Sequence, residues 1–329
     1  MAISASAPCK AILFGEHYVV YGASALSIPI EPRNRVEILP GGDCIVLSSS
    51  IGKGTVAQDF SFSGDECMLP YAAVAKEALS GRKFAPCSVS FLPAWGMKGV
   101  GASSSLGAAF AAGLLSLSGR KPTARKIFSC SQAGDLVAHA GKASGIDAKT
   151  VSMGKPLVFR RDFSSGAYPV RSVKYSIPQG SSLLIIDTFS GTRGSTAEAL
   201  SKFARSFGIT SLPQQTSGEK RGEVQAEFSP ILKSALCEKT AEGLGKLMND
   251  NHILLKMRGV SSHGIEKAVS AALSCGAYGA KLTGAGGEGG AVLTLVKSTE
   301  AASVAERIKE LSGFPAHHLS LARKGASAD

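Results

Sequence analysis

Apolar and polar positions alternate in short bursts through the first third of the chain, a pattern that predicts strands joined by tight turns. Ala11 to Phe14 is an apolar run and Tyr18 to Tyr21 a second, both expected as strands. Arg35 to Leu39 alternates with the period of two of a half-exposed strand, and Cys44 to Leu47 and Cys87 to Leu92 read the same way. The period then lengthens. Tyr71 to Leu79 predicts a short helix. Ser103-Ser104-Ser105 stand before an Ala/Leu-rich segment ending at Ser118-Gly119, which predicts a helix with hydroxyl caps in front and glycine behind. Thr123 to His139 predicts another helix, entered through Pro122.

From Asp162 to Pro169 the composition turns to Ser, Gly, Tyr and Pro, and a joint between two domains, 1–168 and 169–329, is expected there. Leu183 to Ile186 then predicts a buried strand, and Thr196–Phe207, Thr240–Leu255 and Ile265–Leu273 predict helices. Ile209 to Gly222 shows no periodicity and reads as loop. The end reads strand (Ala280 to Thr283), glycine loop, strand (Ala291 to Val296), helix (Ala301 to Leu311), strand (His317 to Leu321). Strands and helices mix without strict alternation, so the fold class expected is α+β. A chain of 329 residues accommodates about two such domains.

Composition narrows the function classes. No apolar run approaches the roughly 18 residues of a spanning helix; Leu106 to Leu117, the best, has 12 and contains Gly107, Gly113 and Ser116. Met1 to Pro8 has neither a basic start nor an apolar h-region, so no secretory signal and no membrane partner are expected. The seven cysteines are odd in number and never form C-x-x-C, which fits free thiols in a reducing cytoplasm. The net charge of +11 admits nucleic acid or small anionic substrates. No basic-aromatic stripe accompanies it, so charge alone leaves both open.

Three segments could carry chemistry. In Lys98-Gly99-Val100-Gly101-Ala102-Ser103-Ser104-Ser105-Leu106-Gly107, two glycines precede a helix start whose N–H groups lack partners, which suits a phosphate. A plain tight loop with a serine cap is the alternative, and no Lys-Ser or Lys-Thr stands where a Walker A motif needs it. In Lys281-Leu282-Thr283-Gly284-Ala285-Gly286-Gly287-Glu288-Gly289-Gly290, five of ten residues are glycine. Its formal G-x-G-x-x-G leads to a strand and about 40 further residues, too few for a dinucleotide-binding half. It is either backbone laid against a ligand or a hairpin tip. In Pro8-Cys9-Lys10-Ala11-Ile12-Leu13-Phe14-Gly15-Glu16-His17, a lysine, a glutamate and a histidine flank a core strand, where they are either partnered or solvated at its edges. Asp147, in Ala143-Ser144-Gly145-Ile146-Asp147, reads equally as a turn residue after a helix.

In this order the three segments resemble the motifs of the GHMP kinases, over about Ala7 to the end. Gly-Glu-His-Tyr-Val-Val-Tyr-Gly, 15–22, is most similar to the mevalonate kinase branch, as are Gly141 to Asp147 and Leu247-Met248-Asn249-Asp250-Asn251-His252. The resemblance implies an N-terminal ribosomal-protein-like βα domain and a C-terminal ferredoxin-like domain, with ATP, Mg2+ and mevalonate in the cleft between them. It implies Asp147 as catalytic carboxylate with Lys10 beside it. It also implies Lys98, Gly99, Val100, Gly101, Ala102, Ser103, Ser104 and Ser105 as the ATP-phosphate loop. It further implies Thr283, Gly284, Ala285, Gly286 and Gly287 as the second glycine motif, and His17, Arg193 and Thr196 as residues facing the substrate. Ser103 matches the magnesium-contacting serine. Asp135 matches a second metal ligand if one extra residue is accommodated near Ala140; otherwise Leu136 falls there. Glu288, Ala102 and Cys9 depart from the usual motif residues. A monomer or homodimer in the cytoplasm, without nucleic acid, is expected. A phosphomevalonate kinase, or a non-catalytic GHMP-fold protein binding anions or nucleic acid, are the alternatives.

Overall fold

The computed structural model describes residues 2–80, 83–97, 99–192 and 194–328. Its first sheet is built from β1 (Ile3–Phe14), β2 (Ala25–Pro40), β3 (Ile45–Ser49), β4 (Gly52–Val56), β5 (Phe62–Gly64), β6 (Cys87–Leu92), β7 (Leu157–Phe159) and β8 (Val170–Ser172). The second contains β9 (Ser181–Asp187), β10 (Gly279–Thr283), β11 (Ala291–Lys297) and β12 (Ala316–Leu319). The last strand, β13 (Ser327–Ala328), returns to the first sheet and pairs with β1, Ser6 opposite Ser327. The helices are α1 (Leu69–Leu79), α2 (Ala102–Leu117), α3 (Ala124–Ala138), α4 (Ile146–Met153), α5 (Thr196–Ser206), α6 (Gly218–Cys237), α7 (Ala241–Met257), α8 (His263–Ser274) and α9 (Ala301–Ser312). This is the mixed α+β class expected. Among the described residues no helix is long and apolar enough to cross a membrane.

The first sheet runs β13-β1-β2-β6-β3-β4-β5, antiparallel except where β3 lies parallel to β6. The period of two decides which face is covered: Val36 and Ile38 are buried while Arg35, Glu37 and Leu39 are exposed. Cys87, Val89 and Phe91 join the buried side, against Ala108, Phe110, Leu114 and Ile127 of α2 and α3. The small residues of α2 let it lie deep against the sheet, buried on most of its circumference. The second sheet runs β10-β11-β9-β12, all antiparallel. Leu183 to Ile186 are buried on both faces, which explains an uninterrupted apolar run. At its β10 edge, α7 satisfies the strand's outward N–H groups: Ala280 N donates to Asn249 Oδ1 at 2.9 Å and Leu282 N to His252 Nδ1 at 3.4 Å.

Several elements differ from the sequence pattern. Tyr18–Tyr21 is a single 3-10 turn, not a strand. Gly15, His17 and Gly22 all have positive φ, which winds the chain, and Tyr18 is caged by Phe203, Phe207 and Phe228. The serines of 103–105 lie inside the first turn of α2, whose cap is Gly101 with φ 67°. Part of the segment read as loop belongs to α6, which buries Val224, Phe228, Leu232 and Ala235 despite an internal Pro230. Residues 160–169 close a hairpin between β7 and β8, and the chain enters the second sheet only after Ser172.

The tail is bound back onto the first sheet. Arg33 donates to the carbonyls of Lys324 and Gly325 at 2.8 Å each, and Ala326 N donates to Val151 O of α4 at 3.0 Å.

Candidate active site

Lys10 lies in the middle of β1 with 2% of its side chain exposed, and its surroundings dictate where its ammonium goes. Its N–H donates to Val100 O at 2.9 Å, pinning the loop before α2 onto the strand. Its Nζ donates to Gly99 O at 3.3 Å and meets Asp147 Oδ1 at 3.1 Å. A side chain at Gly101 would run into the stem of Lys10, its Cβ 2.8 Å from Cε, so the loop wraps the lysine only because that position is glycine. Asp147 stands in the first turn of α4, where helix N–H groups favour a carboxylate, and is 31% exposed toward a cavity.

The serines divide their tasks. Ser103 is exposed at the helix start. Ser104 is buried and its Oγ donates to Asp135 Oδ2 at 2.6 Å. Ser105 turns away altogether: its Oγ donates to Ala7 O at 2.9 Å and its N–H to Gly101 O at 2.9 Å, leaving neither donor for a phosphate. Val100 is likewise buried in the core, while Gly99, Gly101, Ala102, Ser103 and Ser104 line the cavity. Lys98 lies outside the described residues.

Asp135 reaches this group from α3. Burial pushes its carboxyl up to about 7, opposed by the Ser104 hydrogen bond and reinforced by the nearby Asp147 charge. Asp135 lines the cavity, whereas Leu136, the alternative at this place, does not. Ala140 and Gly141 adopt φ values of 48° and 79° in succession. His139 also lines the cavity.

The other end of the cavity holds His17, Ser195, Thr196, Leu200 and Ala285. The His17 ring stacks on Phe203 with centroids 5.3 Å apart, and Nε2 lies 3.0 Å from Ala285 O. Burial pushes His17 down to about 4, so at neutral pH it is an uncharged ring that donates to Ala285. Ser195 caps α5 by accepting from Ala197 N, which leaves Thr196 at the helix start facing the cavity. Arg193 lies outside the described residues.

The second glycine motif splits. Gly284 and Ala285 line the cavity, whereas Thr283 Oγ1 donates to Ile12 O at 3.0 Å and Gly287 N to Val260 O at 2.9 Å. A Cβ on Gly286 would lie 2.3 Å from the same Val260 oxygen. Gly284 must be glycine for contact between loops, since its Cβ would fall 2.5 Å from Gly99 Cα. Thus the two glycine-rich segments touch.

Two features escaped the sequence reading. Glu16 and Lys281, wholly buried, form an ion pair of 2.5 Å behind the cavity, and Lys281 also donates to Leu282 O at 2.6 Å. Burial pushes Lys281 down and Glu16 up, while each charge holds the other toward its ionised form. Lys142 lines the cavity between His139 and Asp147. The only available signals were the presence of charged residues within apolar or motif segments, which did not name their partners.

The cavity holds about 530 Å³. A second hollow of about 830 Å³ adjoins it, walled by Tyr71, Phe91, Trp95 and Leu106 and sharing Met97, Ala102, Ser103 and Ala138 with the first.

Residues 232–312 match the family model described as GHMP kinases C terminal. The mevalonate kinase of Aeropyrum pernix is 33% identical, the match covering 99% of this chain and 98% of that protein. A crystal structure of mevalonate kinase aligns with TM-score 0.78 at 21% identity, covering 98% of this chain and 99% of that one. The crystal structure of L. major mevalonate kinase in complex with R-mevalonate aligns with TM-score 0.72 at 23% identity, covering 97% and 96%.

Proposed function

The chain belongs to the mevalonate kinase family of the GHMP kinases, and on that premise we propose that Lys10 and Asp147 transfer the γ-phosphoryl group of ATP to the 5-hydroxyl of mevalonate. It is an ATP-dependent small-molecule kinase, and its product is 5-phosphomevalonate in isoprenoid biosynthesis. The observation that carries the residue assignment is the 3.1 Å pair of Lys10 and Asp147, placed between the phosphate loop and the His17 end of one cavity. In this reading the N-terminal unit supplies the loop and the carboxylate, and the C-terminal unit supplies the glycine motif.

Phosphoryl transfer asks for alignment and charge balance rather than covalent help. Asp147 faces the acceptor hydroxyl and receives its proton. Lys10 spends two of its three N–H donors on Asp147 and Gly99 O, and the third is directed at the developing alkoxide and the phosphoryl oxygens. The N–H groups of the first turn of α2 hold the phosphates. The aromatic-walled hollow beside Ser103 takes the nucleoside, because an apolar cleft joined to a phosphate site fits a base. His17 and Thr196 orient the acceptor.

Magnesium fits the donors present. It binds through one or two protein oxygens plus phosphates, and an exposed Ser103 hydroxyl with the Asp135 carboxylate answers that description. Among the described residues there is no cluster of three His, Cys, Asp or Glu that would suggest another metal. When bound, the ion neutralises charge on the phosphates. Seven free cysteines accord with a cytoplasmic protein.

The test is ADP release by purified protein with ATP and magnesium, run against mevalonate, 5-phosphomevalonate, galactose and homoserine. Turnover on mevalonate alone is expected. Turnover on 5-phosphomevalonate instead would move the assignment to the next kinase of the same fold, and silence on all four would withdraw it.

A further inference from the structure

The reaction gathers negative charge at one place: a nucleoside triphosphate, an anionic acceptor, and the carboxylates Asp135 and Asp147. Against these, the described residues lining the cavity offer two lysines, Lys10 and Lys142. Lys10 is already engaged by Asp147 and Gly99 O. His17 adds no charge at neutral pH. Lys142 differs from Lys10, because among the described residues no carboxylate or carbonyl pairs with its ammonium, although it is half-buried. A half-buried cation without a partner, set in the wall of an anion-binding cavity, is poised for a ligand rather than for the fold.

The backbone explains why it is there. After α3 the consecutive left-handed residues Ala140 and Gly141 reverse the chain, and Lys142 N closes the turn onto His139 O at 3.0 Å. Without that reversal the chain would leave along the helix axis; with it, residues 142–147 run back along the cavity wall to Asp147. The segment starts at Ala138, in the wall shared with the nucleoside hollow, and ends at the reacting carboxylate. Lys142 lies between the two along the chain and lines the same cavity.

We infer that Lys142 is a second phosphate-binding cation, whose ammonium contacts the γ-phosphoryl group of bound ATP and stays with it through transfer. No covalent bond to it forms or breaks. Its role is to add a positive charge at the γ-phosphoryl group beside Lys10, which Asp147 and Gly99 O already engage. The inference rests on the phosphotransferase reading, yet it can be tested without an acceptor.

The experiment compares ATP and ADP binding by calorimetry, with magnesium, in the parent, Lys142→Met and Lys142→Arg. Lys142→Met is expected to weaken ATP by about 10- to 100-fold, the loss of one charge-assisted hydrogen bond, and to leave ADP within about twofold. Lys142→Arg should recover most of the ATP affinity. Turnover of Lys142→Met should fall, with the KM for acceptor little changed. Equal loss of ATP and ADP, or no loss of either, overturns the inference. So does a rise confined to acceptor KM, which would assign Lys142 to the acceptor's carboxylate. Parent protein that binds ATP but phosphorylates none of the four acceptors would instead count against the function proposed above, leaving the ATP-to-ADP comparison intact. Thermal midpoints matching the parent exclude misfolding as the cause.

Discussion

Lys10 and Lys281 occupy matching situations in the two sheets. Each lies on an apolar strand, each is buried, and each points at a carboxylate contributed by a distant segment. They differ in what closes over the pair. Asp147 opens to the cavity, and Lys10 keeps a donor facing it; Glu16 and Lys281 are sealed at 0% exposure, with a main-chain carbonyl as the lysine's second acceptor. Side-chain type does not separate an accessible ion pair from a sealed one. Access does. An open pair can exchange its partner for a ligand, whereas a sealed pair is costly to desolvate and ties the turn after β1 to β10.

The comparison breaks if function and stability do not divide between the pairs. The largest effect belongs to the open pair. Asp147→Asn should abolish transfer while nucleotide still binds, and Lys10→Met should lower turnover by orders of magnitude; full activity in either variant removes its proposed role. The sealed pair should show the opposite profile. Lys281→Met leaves Glu16 buried without a counter-charge and should cost about 3–5 kcal/mol in urea unfolding. Adding Glu16→Gln should recover part of that loss. A stable Lys281→Met with lost turnover would show that the two pairs had been assigned the wrong way round.

The smallest effect concerns the ring of His17, which follows Glu16 in the chain. Burial holds His17 at about 4, against about 6.5 in the unfolded chain. The unfolded state therefore binds its proton first as pH falls, so stability is complete above about 6.5 and declines between about 6.5 and 4. The decline should amount to on the order of 3 kcal/mol. His17→Asn should flatten that part of the pH profile, and an unchanged slope would mean that other groups produce it.

Much of the open site is legible in the sequence because its signals are local. Gly99 and Gly101 before a helix, Lys10 in an apolar strand and Asp147 after Gly145 each mark themselves within a few residues. The sealed pair is not legible in that way, since Glu16 and Lys281 are 265 positions apart and meet only when the two sheets pack. The inward turn of Ser105 is not legible either, because a run of three serines does not reveal which hydroxyl meets Ala7 O. The Tyr18–Tyr21 turn mimicked a strand for a related reason: four apolar residues fit either period, and the deciding information lies in the positive φ values around them. Helix α6 was hidden by Gly222 and Pro230, although Val224, Phe228 and Leu232 carry the spacing of a buried face.

The pairing of β13 with β1 has a consequence for how the molecule is made. Ser6 and Ser327, which stand opposite each other, are separated by more than three hundred residues of chain. At about 5–20 residues per second the nascent protein carries that unpaired strand edge for tens of seconds. Val151 of α4, the helix that presents Asp147, likewise waits for Ala326. The helix that carries Asp147 thus receives this backing only after residue 326 is made, and a chain interrupted before then exposes a sticky edge instead.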